Sequence, residues 1–236
     1  MPPHSKPGPA RASLILPAYN EETGLRATLA AVAALDLDLE VIVVDDGSTD
    51  ETAATAERAG AVVERHPVNR GKGAALRTGV GLATSDLIVT MDADTTYPAG
   101  AIPGMLALLD GSDYVSAARR DGRAHIPLVN RIGNAAIALA IRRLSGSRLA
   151  DPLTGMYAIR RSAFLALQPS SEGFGIETEI AMKAAAASLR TAETWIEYGP
   201  REGESKLRPL RDGIEILRTI LGVALAARVP RRRTAY

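Results

Sequence analysis

The stretch Val89–Pro98, VTMDADTTYP, ends an apolar run with two carboxylates one residue apart, Asp92 and Asp94. If the strand persists through them, both point to one side and can share a divalent cation. An oxygen-only pair suits Mg²⁺ or Mn²⁺, which keep open positions for substrate phosphates. Taken alone, so short a motif also fits a solvated turn. A second acidic strand end, Asp45-Asp46, strengthens the first reading, because carboxylates gathered from two strand ends repel unless a cation or donor groups intervene. A diphosphate is the natural partner of such a cation.

A basic loop supplies the complementary charge. HPVNRGKGAALRTG places Arg70, Gly71, Lys72 and Gly73 where a helix opens, so backbone amides and side-chain cations can cradle an anion. It lacks the full G-x-x-x-x-G-K-[ST] pattern and is no P-loop.

The elements that must position these groups are legible in the first half. SLILP and EVIVVDD are nearly continuous apolar runs, as expected of strands covered on both faces, and AVVERH and LIVTMDAD follow at similar intervals. GLRATLAAVAAL, TDETAATAERAG and KGAALRTGVGLAT lie between them at helical spacing. Asn20 is expected to cap the first helix, Ser48 or Thr49 the second, and Gly60 to close the second. Repeated β-α-β units predict a doubly wound sheet, with ligands beyond the carboxyl ends of its strands. Four loops then share one rim: LPAYNEE, VVDDGSTDET, the basic loop and DADTTYP.

Beyond Pro98 the pattern predicts a helix over Ile102–Leu109 and a strand DYVSAAR. An amphipathic helix over Val129–Leu144 and a strand MYAIRR follow. A helix over Glu177–Ala187, a strand TAETWIEY and a helix over Asp212–Arg228 complete the chain. His66, beside Pro67, reads as a turn histidine, and His4 and His125 carry no assigned role.

Bulk properties bound the function. A chain of 236 residues with 46% hydrophobic and 23% charged residues is ordinary for a globular protein. A net charge of +1 and only 4% aromatics give no reason to expect nucleic acid as a partner. Absence of cysteine leaves any metal to oxygen or histidine. Residues 1–11 are proline-rich without an apolar signal region and are expected to be disordered; 229–236 form a basic tail. No apolar stretch is long enough to span a bilayer, so one cytoplasmic domain, 12–228, is expected. Residues 12–98 form its donor half and 99–228 its acceptor half.

PAYNEE, VVDDGSTDET, NRGKGAALRTG and DADTTYP, in this order, resemble the family 2 inverting glycosyltransferases of the GT-A fold. ADPLTGMYAIRRS, GFGIETEI and PREGESKLRPLRDG resemble its dolichyl-phosphate mannose synthase and polyprenyl-phosphate sugar synthase branch. The resemblance spans about Leu14–Leu221 and implies a Rossmann-like, mixed but mostly parallel sheet with helices on both faces. It implies a nucleotide-sugar donor, GDP- or UDP-linked, with mannose or glucose passed to a polyprenyl phosphate.

The same resemblance assigns residues. Pro17, Tyr19 and Glu21 would contact base and ribose, with Asp46 on their edge. Lys72 and Ala93 belong to the donor site, and Asp92 and Asp94 would hold the metal. Thr96 stands where this branch often carries a metal-assisting glutamine. Arg119 or Arg120 would sit near the phosphates, and Arg131 would receive the acceptor phosphate. Arg201, Ser205 and Lys206 would close over both, while Asp151 is a family mark with an expected structural role.

An ionised lipid phosphate needs no strong general base; a hydroxyl acceptor would, and Glu177 is the first candidate for it. A polyprenyl phosphate also requires contact with the inner face of the cell membrane. That contact would run through the two amphipathic helices, unless their apolar faces pack on the sheet, or through a membrane partner protein.

Overall fold

The computed structural model describes residues 12–120, 128–202, 206 and 209–228. The expected N-terminal disorder, the basic tail and Ser205 lie outside the described residues. Strands β1 (Ala12–Ala18), β2 (Leu39–Asp45), β3 (Val62–Arg65), β4 (Leu87–Thr90), β5 (Tyr114–Arg119), β6 (Tyr157–Arg160) and β7 (Thr191–Ile196) form one sheet. Helices are α1 (Glu22–Ala33), α2 (Thr52–Arg58), α3 (Lys72–Leu82), α4 (Ile102–Leu109), α5 (Leu128–Ser145), α6 (Arg161–Leu167), α7 (Ile176–Ala186) and α8 (Pro209–Arg228). A 3₁₀ turn, Ala99–Ala101, leads into α4.

Strand order is β3-β2-β1-β4-β6-β5-β7. Only β6 runs against its neighbours, β4 and β5. All other pairs are parallel. The carboxyl ends of the six parallel strands and the amino end of β6 therefore meet at one rim.

Alternation along β1 divides the core. Leu14 and Leu16 join Leu25, Leu29, Ile102 and Met105 on the face covered by α1 and α4. Ile15 joins Leu76, Val80, Phe164, Ile176 and Ile180 under α3, α6 and α7. Each such fully buried side chain contributes about 1.5–3 kcal/mol. A smaller cluster holds α5, α7 and α8 together through Ile141, Met182 and Ile220.

Two expectations about the helix starts are corrected. Asn20 does not cap α1; it takes a left-handed φ of 52°, and its Oδ1 accepts hydrogen bonds from Thr49. Neither Ser48 nor Thr49 caps α2. Asp50 serves both helices: Oδ2 accepts from Glu22 N at 3.2 Å and Oδ1 from Thr52 N at 3.0 Å. A cap is worth about 1 kcal/mol, so one aspartate joins two helix starts and locks the first two rim loops together. Gly60 follows α2 with φ 79°, as expected of a C′ glycine. Helix α6, in RSAFLAL, was not foreseen.

Candidate active site

A cleft of about 370 Å³ opens at the rim, lined by Pro17, Tyr19, Glu21, Asp46, Lys72 and Asp92–Asp94, and on its far side by Phe174, Arg201 and Lys206. The donor-side residues come from loops after β1, β2, β3 and β4, and Arg201 and Lys206 from the segment after β7.

The acidic pair is reached by a different route from strand alternation. Strand β4 ends at Thr90, so Asp92 and Asp94 sit in the loop beyond it rather than on one strand face, with Thr95 at φ 68°. Each acid faces its own cation. Lys72, the first residue of α3, lies with Nζ 2.5 Å from Asp92 Oδ1 and 2.6 Å from Glu177 Oε1. Arg201 lies with Nη1 2.6 Å from Asp94 Oδ2, and its Nη2 pairs with Glu21. Asp94 Oδ1 accepts from Thr96 N at 3.1 Å and Thr96 Oγ1 at 2.5 Å. Thr96 thus steadies the acid at the position where the resemblance led one to look for a glutamine.

Electrostatics follow from burial and this pairing. Burial pushes the Glu21 carboxyl up to about 7, with Asp94 adding to the rise and Arg201 opposing it. Burial raises Asp94 too, reinforced by Asp92 and resisted by Thr96 and Arg201. Burial acts against the charge of Lys72, but Asp92 and Glu177 more than reverse it and hold the ammonium well above the ordinary lysine value. Glu177 is raised mainly by burial.

Two glycines make the close approaches possible. Gly71 precedes α3 at φ 95°, and a Cβ there would come 2.5 Å from Glu172 O. A Cβ on Gly155 would come 2.4 Å from Asp92 Oδ2, so the ADPLTGM loop leaves the Asp92 carboxylate its room.

Asp46 is held by donors rather than by a metal. Its Oδ1 accepts from His66 Nδ1 at 2.6 Å and Arg70 N at 2.9 Å, and its Oδ2 accepts from Gly71 N at 2.7 Å. His66 is therefore no loose turn residue: it is buried, and Nε2 meets Thr78 Oγ1 at 3.0 Å. These bonds fix the basic loop that presents Lys72.

Some expected residues lie elsewhere. Arg119 is not among the cleft-lining residues. It forms a two-pronged pair with Asp151, Nε to Oδ2 at 2.6 Å and Nη2 to Oδ1 at 2.9 Å, and stacks on the Tyr198 ring. Asp151 anchors its loop to β5 in this way. Arg120 is exposed beyond β5, and Arg131 is half-exposed on α5 and outside the cleft lining. Conversely, Asn69, Gly173, Phe174, Arg211, Asp212 and Glu215 line the cleft without having been singled out. GFGIETEI and PLRDG were the available signals for most of them.

Asp92 and Asp94 supply two hard oxygen donors, and among the described residues no third His, Asp or Glu completes a protein-only metal cage. Mg²⁺ and Mn²⁺ sites of this kind take one or two carboxylates and fill the rest with phosphate and water, so the donor set fits. Arg201 Nε is buried without a partner among the described residues, a donor left for an anion.

Residues 13–166 match the family described as "Glycosyl transferase family 2". A dolichyl-phosphate hexose transferase of Haloferax volcanii is 34% identical over 92% of this chain and 95% of that protein. An undecaprenyl-phosphate 4-deoxy-4-formamido-L-arabinose transferase of Pseudomonas fluorescens is 33% identical over 87% of this chain and 63% of its own. Among solved structures, glucosyl-3-phosphoglycerate synthase of Mycobacterium tuberculosis with Mn²⁺, UDP-glucose and phosphoglyceric acid superposes with a TM-score of 0.71. It is 27% identical over 91% of this chain and 80% of that one. The carboxylate pair, the cations facing it and the α/β sheet that carries them are thus found in a chain that belongs to glycosyl transferase family 2 and is a glycosyltransferase.

Proposed function

We propose that this chain transfers a hexose, mannose or glucose, from a GDP- or UDP-linked donor to a polyprenyl phosphate, with inversion at the anomeric carbon. The observation that carries the reading is the division of Asp92 and Asp94 between Lys72 and Arg201 inside one cleft. A site for a departing diphosphate needs anionic metal ligands and cations side by side, and this cleft has both. Whole-length similarity to a dolichyl-phosphate hexose transferase supports the acceptor class.

Asp92 and Asp94 would hold the divalent ion, which supplies charge neutralisation to the leaving nucleoside diphosphate. Pro17, Tyr19 and Glu21 receive the nucleoside end of the donor. Arg201 and Lys206 turn toward the phosphates, Arg201 offering its unpartnered Nε as well as its terminal nitrogens. Glu177 is buried against Lys72 and outside the cleft lining, so it serves as a charge partner rather than as a base. That suits an acceptor that arrives already ionised, attacks from the face opposite the diphosphate and yields no proton to the protein. Such an acceptor places the protein at the inner face of the cell membrane, by itself or through a membrane partner protein.

A second reading takes a soluble acceptor. The superposition on glucosyl-3-phosphoglycerate synthase, solved with phosphoglyceric acid, favours it. One screen separates the two: UDP- and GDP-hexoses with Mg²⁺, offered polyprenyl phosphate, phosphoglycerate or a glycan hydroxyl, with nucleoside diphosphate release as the signal. Turnover with the lipid phosphate alone supports the first reading; turnover only with a soluble acceptor replaces it.

A further inference from the structure

Tyr97, the aromatic residue of DADTTYP, is 5% exposed and packs in the core cluster with Leu25, Ile102 and Met105. Its hydroxyl meets a partner from another loop: Oη accepts a hydrogen bond from Gly155 N at 2.6 Å. Thr154 Oγ1 lies 3.5 Å from the same oxygen and donates to Ala117 O of β5 at 2.7 Å. The loop that carries Gly155 is thus tied on one side to β5 and on the other to Tyr97. Burial pushes the Tyr97 phenol well above its ordinary value, so the hydroxyl stays protonated at neutral pH.

Gly155 is the residue that stands against Asp92. Lys72 Nζ lies 2.5 Å from Asp92 Oδ1, and a Cβ on Gly155 would overlap Oδ2. The lysine is a flexible side chain, whereas the buried backbone of Gly155 cannot turn away without breaking its bond to Tyr97. Released from Oη, the Gly155 amide would be a buried donor without an acceptor, and the loop would have to move to find one. The ring of Tyr97 meets a different segment. It packs edge-to-face on Tyr198, with centroids 5.2 Å apart at 79°. From Tyr198 the chain runs along the DADTTYP loop, Gly199 N donating to Thr96 O at 2.9 Å and Glu202 N to Asp94 O at 3.1 Å. Arg201 is carried to Asp94 in this way.

We infer that Tyr97 is a positioning residue for the divalent cation: its hydroxyl holds Gly155 against Asp92 and so restricts the carboxylate that would bind the ion. Tyr97 is not among the cleft-lining residues, so it acts through Gly155 and not on the substrate. Partners that orient a metal ligand change metal affinity by about 10–100-fold when removed. The inference goes beyond the assignment of Asp92 as a metal ligand and rests on it.

The test is a Mn²⁺ titration followed by electron paramagnetic resonance, with UDP or GDP present, on the full-length wild type, Tyr97→Phe and Thr154→Val. Phenylalanine keeps the ring on Tyr198 and loses only the hydroxyl. Thr154→Val removes a buried hydroxyl from the same loop and leaves the bond between Tyr97 and Gly155 in place. Tyr97→Phe is expected to move the midpoint of Mn²⁺ capture to about tenfold higher concentration with the same plateau, and Thr154→Val to keep the wild-type midpoint. A merely structural role would lower the plateau, the fraction of folded chain, and leave the midpoint where it was. A wild-type midpoint in Tyr97→Phe overturns the inference. Equal shifts in both variants overturn it too, because they assign the effect to loosening of the loop. So does a Tyr97→Phe chain that melts below the assay temperature, which gives the hydroxyl to the fold. A wild type that captures no Mn²⁺ with either nucleotide is a distinct result: it removes the metal assignment of Asp92 and Asp94, and the inference with it.

Discussion

Arg201 reaches Asp94 from the segment after β7, its Nη1 2.6 Å from Oδ2. This contact, with those of Arg201 to Glu21 and Lys72 to Glu177, joins the two halves of the chain, a side chain more than a hundred positions away meeting the acid of the DADTTYP loop. It also states the working logic of the site. Each acid that would hold a metal is matched with a cation that, in the proposed reaction, would turn to phosphate. Replacing Arg201 by Ala leaves Asp94 and Glu21 without their partner and, in the proposed reaction, removes a cation from the diphosphate. Transfer is expected to fall by about 10²–10³-fold, the usual effect of losing a charge-stabilising donor, as measured by steady-state release of nucleoside diphosphate.

Gly155→Ala tests the space around Asp92. The added Cβ would meet the Asp92 carboxylate at 2.4 Å, and a side-chain terminus can yield where backbone cannot. The fold is expected to survive with its melting temperature little changed, while activity falls about tenfold or more because Asp92 is displaced. Normal activity in this variant would show that the position of Asp92 does not matter.

His66 acts through Asp46, and the two nitrogens of its ring can be tested apart. Asn carries an amide nitrogen near the Nδ1 position, and Gln near Nε2. His66→Asn is therefore expected to retain the donor to Asp46 and keep KM for the nucleotide sugar near that of the wild type. His66→Gln keeps only the link to Thr78 and is expected to raise KM by roughly tenfold, the worth of about one charge-assisted hydrogen bond. Equal KM values at matched stability would assign His66 to packing alone.

Glu21 carries a pH signature. Its carboxyl is raised by burial to about 7, so the folded chain binds a proton that the unfolded chain releases near the ordinary glutamate value. The favourable contribution of the protonated form is complete below that ordinary value and is lost as pH rises through about 7. Glu21→Gln cannot ionise. The stability of the variant relative to the wild type is expected to increase from pH 4.5 to pH 7, measured by urea midpoints across that range. A flat difference would mean that Glu21 titrates normally.

Much of this architecture could be read from residue patterns, for identifiable reasons. The runs in β1, β2 and β4 are buried on both faces and so carry a strong apolar signature. The rim residues Glu21, Lys72, Asp92, Asp94 and Arg201 followed from strand ends and from the family pattern. The resemblance gave a mixed, mostly parallel sheet, but MYAIRR carries no mark of its own direction, so which strand reverses, β6, was not legible. Capping of α1 by Asp50 was hidden because the cap comes from another loop 28 positions away. The resemblance set Arg119 or Arg120 near the phosphates, and the pairing of Arg119 with Asp151, 32 positions on, shows only in three dimensions.

The most direct measurement is Mn²⁺ binding by electron paramagnetic resonance, with UDP or GDP present, for the wild type, Asp92→Asn and Asp94→Asn. The account predicts that the wild type captures Mn²⁺ together with one of the nucleotides, and that either substitution weakens this capture by at least about tenfold while circular dichroism stays unchanged. Undiminished Mn²⁺ capture in both variants, or full transfer activity in excess EDTA, would contradict it.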